Sequence, residues 1–366
     1  MKKLFAISMA LAVSLSCIPS MAYAETEGAA TSAVKGNTAF VDMPSDWSTS
    51  ALSNAAANGL LKGYKEGDGM YIKPSATLTR AEIAAIVNRA FGASETTTLK
   101  EVTDVSSEAW YATEIAKAVH MGTMSLAANM RPDDKITRQE AFSILARAFQ
   151  LEATDPNYSA LNAFQDKDYI ASWAKEGICA FVEKGVLFGN DGKINPTANI
   201  TRAEFAKIMD NMVQQYINTA GTVTKVAASG NVMINVSGVT LSNVTVNGDL
   251  IIGDGVGSGE VTLDSVKVTG ETIVRGGGVH SVIIKGNSSF GKIIIAKVDG
   301  AVRVAVEGDA DVEVVVIDDG KEDVIIEGKL GTVEVAADVP VVLQKASVEK
   351  VEVTIAKASV TIAAGA

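Results

Sequence analysis

At 366 residues the chain is long enough for two or three domains, since single cores stop growing at about 250 to 300 residues. Its formal net charge of -11 argues against nucleic acid or anionic lipid as the main partner, because both attract basic surfaces. Two histidines and two cysteines offer little for a zinc site, and no phosphate-binding loop or nucleophile elbow is present. These features favour a binding or structural protein without metal or cofactor over an enzyme.

Residues 1–24 have the pattern of a secretory signal peptide. A basic start at Met1–Lys3 precedes an apolar core from Leu4 to Leu15, and Ala22–Ala24 is a small-x-small cleavage site. A lipidation box at Ser16–Cys17 is the less favoured alternative. The apolar core is shorter than the roughly 20 residues of a membrane-spanning helix, and no later run suits a span. We expect an exported protein whose mature chain begins at Glu25.

A threefold repeat follows, and its clearest element is a five-residue string. The string occurs as Leu78–Glu82, Ile136–Glu140 and Ile200–Glu204. In each copy, a threonine and a glutamate three residues later precede an apolar run, which predicts a capping box at a helix start. These structural caps are Thr79 with Glu82, Thr137 with Glu140, and Thr201 with Glu204. Internal repeats of this kind indicate a modular fold.

The arginine in each string needs a separate explanation. A cation in the first turn opposes the helix dipole, so capping alone does not account for it. An arginine beside free backbone amides at a helix N-terminus favours a carboxylate. Arg80, Arg138 and Arg202 are therefore candidate anion ligands.

A tryptophan opens an earlier helix in each repeat. Trp47, Trp110 and Trp173 are the three tryptophans of the chain, and each lies 63 residues from the next. Each begins a helix-periodic run that ends at a glycine, and a proline-containing loop leads to the capped second helix. The tryptophans either contact a ligand or seal the core between the helices.

These features resemble the S-layer homology (SLH) family. The resemblance rests on Phe40–Asp42 and Phe164–Asp166 before the tryptophan, on Gly59–Gly63 and Gly185–Gly189 after the first helix, and on the capped arginine motif. It covers residues 38–215 and implies a three-lobed helical prism with repeats at 38–92, 100–152 and 161–215.

The middle repeat departs from this family pattern. Met121–Ser125 lacks the second glycine, the following loop is shorter, and Gln139 stands in place of alanine. We therefore expect the groove of this repeat to be the weakest.

The resemblance also implies a ligand, a secondary cell-wall polysaccharide that commonly carries a pyruvate ketal. On that basis Arg80 and Arg202 would bind the ketal carboxylate from the protein surface, so that alanine in their place would weaken wall binding and leave the fold intact. Arg138 with Trp110 would form a weaker site.

Four further residues complete the polysaccharide-binding site that the family implies. Trp47 and Trp173 would offer apolar surface to the sugar. Gly63 and Gly189 would let the loop backbone approach it.

Residues 222–366 have a different pattern, with short β-branched strands in place of helices. Triplets such as Val244–Val246, Val266–Val268 and Val324–Ile326 recur at a period near 20 residues, separated by glycine and asparagine. This rhythm predicts the rungs of a parallel β-solenoid. Because the rhythm drifts after Gly300, a β-sandwich is the alternative.

The β region offers little catalytic material. After Tyr216 it contains one aromatic residue, Phe290, and one histidine, His280, whereas a sugar cleft usually needs an aromatic platform and a carboxylate pair. Asn247–Asp249 and Gly253–Gly255 carry oxygens of the kind that calcium binds, but they match no calcium-binding loop.

The sequence predicts a multidomain, exported S-layer or similar surface protein that is bound non-covalently to the cell wall. The β region would be structural or would bind a second copy through the open edge at Val351–Ile362. Two alternatives remain. The protein is a wall-anchored polysaccharide lyase or hydrolase with its active face on the β region, or an adhesin for another surface.

Overall fold

The computed structural model describes residues 40–363 and 365–366. The predicted signal peptide lies outside the described residues and stays a prediction. Among the helices that are described, none is long and apolar enough to cross a membrane.

The N-terminal part consists of helix pairs, one pair in each repeat. The loop of the first repeat also carries a small antiparallel hairpin, and short 3-10 turns lie at Ser159–Ala163 and Lys167–Tyr169. Through residue 212, the described helices and strands are α1 (Thr49–Ala57), β1 (Tyr64–Glu66), β2 (Gly69–Tyr71), α2 (Arg80–Phe91), α3 (Ala112–His120), α4 (Arg138–Ala148), α5 (Ser172–Glu183) and α6 (Arg202–Met212).

A capping box starts the second helix of each repeat. At α2, the amide of Glu82 donates to Thr79 Oγ1 at 3.2 Å, and the amide of Thr79 donates to Glu82 Oε2 at 2.8 Å. The same pair of bonds starts α4 at Thr137 and α6 at Thr201. Each box satisfies two amides that helix geometry leaves without partners.

The three repeats close into a ring through the residue that directly precedes each capping threonine. The amide of Leu78 donates to Ile200 O at 3.0 Å, Ile136 to Leu78 O at 3.1 Å, and Ile200 to Ile136 O at 3.1 Å. All three side chains are fully buried. The ring joins residues that are far apart in the chain, and it gives the helical part an approximate threefold axis.

Neighbouring repeats share their helix contacts. The first helix of one repeat packs against the second helix of the repeat before it, so α3 contacts α2, α5 contacts α4, and α1 contacts α6. An aromatic pair fills the contact between α4 and α5, where the rings of Phe142 and Phe181 lie 5.2 Å apart. A second pair joins the ends of α2 and α4, where the rings of Phe91 and Phe149 lie 4.9 Å apart.

The chain after Met212 forms a parallel β-solenoid of about seven turns, as predicted, and the β-sandwich alternative is wrong. Each strand pairs in parallel with its equivalent in the next turn. The strands are β3 (Gln215–Ile217), β4 (Gly221–Val223), β5 (Val232–Ile234), β6 (Val239–Ser242), β7 (Thr245–Val246), β8 (Leu250–Ile252), β9 (Val261–Asp264), β10 (Lys267–Val274), β11 (Ile283–Lys285), β12 (Ser289–Ala296), β13 (Val302–Val306), β14 (Asp311–Asp319), β15 (Val324–Val335), β16 (Pro340–Val353) and β17 (Ser359–Ile362).

The drift in the sequence rhythm is a change in turn length. On one face, paired residues are 22 positions apart in the series Thr245, Lys267, Ser289 and Asp311. On another face, Val315 pairs with Val333, and Val333 with Val351, at a spacing of 18. The last turns, with paired residues 17 to 19 positions apart, are therefore three to five residues shorter, and the stacking continues.

The solenoid packs against the helical part through one face. Leu250 and Ile252 point into the solenoid core, while Ile251 between them belongs to the core of the helices. Met233 and Ile273, on the strands either side, also join the helical core. These strands are buried on both faces, which explains their unbroken apolar runs.

Polar contacts cross the same junction. Asn235 Nδ2 donates to the carbonyl of Ala90 at 2.6 Å, at the end of α2. Lys184 Nζ lies 3.1 Å from an oxygen of Asp249 and 3.4 Å from an oxygen of Glu271. The pKa of Lys184 is raised because these carboxylates outweigh its burial. The junction is therefore held by charge as well as by apolar packing.

Both segments with calcium-type oxygens lie at this junction, where their carboxylates bind cations of the protein. Asp249 binds Lys184, and Asp254 binds Arg275 at 2.8 Å. Within the described residues, no group of three or more His, Cys, Asp or Glu side chains is arranged to hold a metal ion.

Candidate binding grooves

Each of the three motif arginines reaches into the loop of a neighbouring repeat. Nε of Arg80 donates to the carbonyl of Met130 at 2.9 Å, Nε of Arg138 to Ile194 at 2.7 Å, and Nε of Arg202 to Ile72 at 2.7 Å. The first helical turn places these side chains at the ring, where the next loop passes. Every groove is thus built by more than one repeat.

An aspartate holds each of these loops in place. Asp166 accepts the amides of Ile194 and Asn195 at 2.9 and 2.7 Å, and Asn195 has a φ of +55°. Asp42 and Asp104 bind their own loops in the same way. These aspartates are functional residues without an assigned role in the sequence pattern above, although their regular spacing of 62 residues is a signal for one.

The arginines differ in their acidic partners. Arg80 Nη1 lies 3.1 Å from Glu140, and Arg138 Nη1 lies 3.0 Å from Glu204. Arg202 forms no ion pair among the described residues. Its Nη1 donates to the hydroxyl of Tyr64 at 3.3 Å, and that hydroxyl donates to Glu82 at 2.7 Å.

Tyr64 therefore separates Arg202 from the carboxylate of Glu82 in the first repeat. The Arg202 guanidinium lies 4.9 Å from the centre of the Tyr64 ring, and Lys73 Nζ lies 4.6 Å from it. Burial, followed by the hydrogen bond to Glu82, raises the pKa of Tyr64, so its hydroxyl stays protonated at neutral pH. A neutral phenol leaves Arg202 without a direct ion pair, so Glu82 and Asp42 compensate its charge only at longer range.

Arg202 is only 4 % exposed, which corrects the expectation of a surface arginine. Besides Ile72, it donates through Nη2 to the carbonyl of Lys62 at 2.7 Å. Burial lowers its pKa, but a guanidinium keeps its charge in proteins. Arg80 and Arg138 are also mostly buried. Alanine at any of these positions would leave loop carbonyls without donors, and each such loss typically costs about 1 to 3 kcal/mol of stability.

One cavity lies next to Arg202, and we name it the Arg202 groove. It has a volume of about 180 Å³ and is lined by Leu61, Lys62, Gly63, Tyr64, Glu82, Ile86, Arg89, Trp110 and Arg202. These residues come from all three repeats. Three of them are cations and one is an acid, and the acid is held by its capping box and by Tyr64. The groove is electropositive and has an aromatic wall.

The tryptophans lie on the surface. Trp47, Trp110 and Trp173 are 60 %, 61 % and 57 % exposed, so the alternative in which they seal the core is wrong. Trp110 lines the Arg202 groove, and not a groove with Arg138 as the family resemblance predicts. Exposed indole rings remain available to an apolar ligand face.

The two glycines of the predicted site have close neighbours inside their own repeats. A Cβ on Gly63 would overlap the ring of Phe40, and the middle repeat has the smaller Val102 in the segment that corresponds to Phe40. A Cβ on Gly189 would lie 2.6 Å from the carbonyl oxygen of Lys193 and 2.8 Å from the ring of Phe164, and Gly189 has a φ of +71°. Both glycines therefore have a structural reason, which is room for the phenylalanine at Gly63 and mainly the backbone conformation at Gly189.

The helical part matches a known family model in three places. The model is the S-layer homology domain, and the matched residues are 39–84, 103–142 and 163–206.

Several curated proteins are similar to this chain. It is 30 % identical to the Surface-layer 125 kDa protein of Lysinibacillus sphaericus over 55 % of the chain and 17 % of that protein. It is 30 % identical to Exoglucanase XynX of Acetivibrio thermocellus, over 50 % of the chain and 17 % of the enzyme. It is 29 % identical to the Cellulosome-anchoring protein of the same organism, over 42 % of the chain and 35 % of that protein. The chain thus spans about a third or less of each of these relatives.

Proposed function

We propose that this chain, whose residues 39–206 carry three S-layer homology domains, is a secreted protein that these domains anchor to the cell wall. The similarity to surface-layer and cellulosome-anchoring proteins supports a location at the cell surface. In this proposal the helical part binds a cell-wall polysaccharide without a covalent bond, and the solenoid is the structural part that the anchor holds at the surface.

We place the main binding site in the Arg202 groove, and the ligand group is a carboxylate such as that of a pyruvate ketal. The observation that carries this proposal is that Arg202 has no direct ion pair among the described residues, because Tyr64 lies between it and Glu82. A carboxylate entering the groove supplies the missing negative charge, and charge-assisted hydrogen bonds are the strong ones.

Different lining residues would contact different parts of the ligand. Trp110 offers an exposed aromatic face to the apolar side of a sugar ring. Lys62 is exposed at the rim, where its ammonium can follow the carboxylate. Arg202 lies beneath and contributes charge while it holds the loop carbonyls of Lys62 and Ile72.

The other two arginine sites are weaker in this proposal. Arg80 and Arg138 already have carboxylate partners in Glu140 and Glu204, so an incoming anion has to compete with them. Trp173 and Trp47 are exposed and remain candidate sugar contacts there.

The test is co-sedimentation of the full chain with purified cell-wall sacculi. Trp110→Ala should weaken binding about five- to tenfold, because it removes an aromatic contact. Lys62→Gln should weaken it about threefold, as expected for one exposed charge. Mild acid, which removes pyruvate ketals from the sacculi, should release the protein.

Matched controls separate the groove from general effects. Lys65→Gln removes the same charge three residues away, outside the groove, and Tyr169→Ala removes an exposed aromatic ring of the third repeat. Both should bind like the unmodified chain. If the groove variants bind as tightly as these controls, the site assignment is wrong. If no variant or acid treatment matters and the chain does not pellet, the anchoring proposal fails.

Enzymatic function is the less supported alternative. The match to the enzyme Exoglucanase XynX covers 17 % of its length, so most of that enzyme lies outside the region that is similar to this chain. We propose a non-enzymatic role, and loss of polysaccharide viscosity on incubation with the purified chain would contradict it.

A further inference from the structure

A second cavity lies at the junction between the helical part and the solenoid. Its volume is about 330 Å³, and it shares no lining residue with the Arg202 groove. The helical side contributes His120, at the end of α3, together with the loop that follows α2. The solenoid side contributes loops of three successive turns, which carry Asp254, Arg275, Lys297 and Asp299, and the loop after α2 adds the carboxylate of Glu95.

Two of the lining cations are buried to an unusual degree. Arg275 is 3 % exposed and Lys297 is 6 % exposed. A buried charge is costly unless partners satisfy all of its hydrogen-bonding capacity. The partners of these two side chains therefore decide what the cavity can bind.

Arg275 has a donor left over. Its Nε donates to Asp254 at 2.8 Å, its Nη2 donates to the carbonyl of Met121 at 2.9 Å, and its guanidinium lies 5.6 Å from the ring centre of Phe91. Within the described residues, its Nη1 is buried and has no hydrogen-bond partner. Asp254 neutralises the charge, and because Nη1 has almost no accessible surface, Arg275 forms a wall of the cavity and does not contact a ligand there.

The Lys297 ammonium uses even less of its hydrogen-bonding capacity. An ammonium has three donors, and here Nζ makes one hydrogen bond, to the carbonyl of Ala301 at 3.2 Å. No carboxylate of the described chain lies within ion-pair distance of it. The two acids whose charges act on it, Asp299 and Glu322, accept the amide of Gly300. Burial lowers the pKa of Lys297, as expected for a cation without a close counter-charge.

We propose that this cavity binds a small oxyanion, a carboxylate or phosphate group, held at Lys297. Such an anion supplies the acceptors that the Lys297 ammonium lacks, and its charge balances that ammonium. The volume exceeds that of several water molecules at roughly 30 Å³ each, so an oxyanion fits together with hydrating water. Because the walls come from both parts of the molecule, a bound anion also strengthens the junction.

Thermal unfolding of the full chain provides the first test, with inorganic phosphate, acetate or chloride at equal ionic strength. A ligand that binds only the folded state should raise Tm by about 2 to 4 °C at concentrations well above Kd. We expect this rise with phosphate or acetate and not with chloride. A larger rise with phosphate assigns the site to phosphate-bearing ligands, and a larger rise with acetate assigns it to carboxylates.

Lys297→Met separates a binding role from a structural one. Without added anion, this variant should be at least as stable as the unmodified chain, because it removes a poorly compensated buried charge. It should also lose the response to phosphate and acetate. Lys357→Met, which removes an exposed lysine elsewhere on the solenoid, should keep that response. An equal Tm rise in chloride, or an undiminished rise in Lys297→Met, would overturn the proposal.

Proton NMR of the histidines gives a readout that does not depend on the variants. The chain has two histidines, and His120 lines the cavity while His280 does not. Phosphate or acetate should move the His120 resonance in a saturable way, with little effect on His280. If both resonances respond equally, or neither responds, the cavity does not bind the anion.

Discussion

The helical part and the solenoid are both built from repeats, but only the helical part closes on itself. The cyclic hydrogen bonds of Leu78, Ile136 and Ile200 join the third repeat back to the first. In the solenoid each turn contacts the next, and among the described strands β17 pairs with β16 alone. Closure lets one groove collect residues from three repeats, whereas a linear stack combines only neighbours. The candidate polysaccharide chemistry lies in the closed part for this reason.

Ring closure also gives equivalent residues of the three repeats different neighbours. Tyr64 lies on the hairpin strand β1, and it lies between Arg202 and Glu82. In the other two grooves the equivalent arginine meets its glutamate directly. One tyrosine thus turns one of three similar grooves into the electropositive one.

The strongest test of the comparison is to damage each core separately. Phe142→Ala in the helical core and Phe290→Ala in the solenoid each remove a fully buried ring, which typically costs about 3 to 5 kcal/mol. All three tryptophans lie in the helical part, so their fluorescence reports its unfolding, while far-UV circular dichroism also follows the strands.

Because a ring is cooperative and a linear stack unfolds locally, we expect different consequences for binding. Phe142→Ala should lower the tryptophan transition and abolish wall binding. Phe290→Ala should mainly lower the strand signal and leave wall binding intact. A tryptophan transition that falls equally in both variants would mean that the junction makes the two parts unfold as one unit.

The next test concerns the open stack. Self-association through the terminal strands stays a prediction, and the structure adds one observation to it. Val351 and Val353 occupy the positions that Val333 and Val335 occupy in the buried core one turn earlier, yet they are exposed. An uncovered apolar row of this kind favours contact with a second copy.

Analytical ultracentrifugation of the full chain checks this prediction. The unmodified chain should sediment as a dimer or larger species as concentration rises, and the double change Val351→Lys with Val353→Lys should sediment as a monomer. A monomer at every concentration for the unmodified chain would remove the support for self-association.

The smallest expected effect is a charge effect on the solenoid. Burial, and then the charge of Glu152, raises the pKa of Asp318 above its ordinary value of 3.8. An acid with a raised folded-state pKa favours folding when protonated, so its stabilising contribution is present below pH 3.8 and is lost as pH rises through the folded pKa. Ionised Asp318 therefore lowers stability at neutral pH.

Asp318→Asn should raise the free energy of unfolding at pH 7 by about 0.5 kcal/mol, a value kept small because the side chain is partly exposed. Urea unfolding at pH 7 and below pH 3.8 measures the effect, which should vanish at the acidic pH. Asp338→Asn, an exposed aspartate of the same region, is the control. A gain that is independent of pH would point to a cause other than the charge.

Local patterns in the sequence determined much of the fold. The threonine and glutamate of each capping box act within four residues, so the starts of α2, α4 and α6 are readable without tertiary structure. The solenoid strands follow from β-branched triplets at a near-constant period, because each turn repeats the same local geometry. The resemblance to SLH domains rested on the same short-range features.

The tertiary structure alone decided which residues meet. Arg202 donates to Tyr64, 138 residues away in the chain, and it shares a groove with Trp110 of another repeat. A repeat pattern in the sequence gives equivalent residues the same description. It does not show that ring closure places different residues next to each of them. It also does not show burial, which placed Arg202 beneath the surface and left side-chain nitrogens of Lys297 and Arg275 with unfilled hydrogen-bonding capacity. Composition and spacing thus determined the modules, while long-range packing determined the charge and access of their sites.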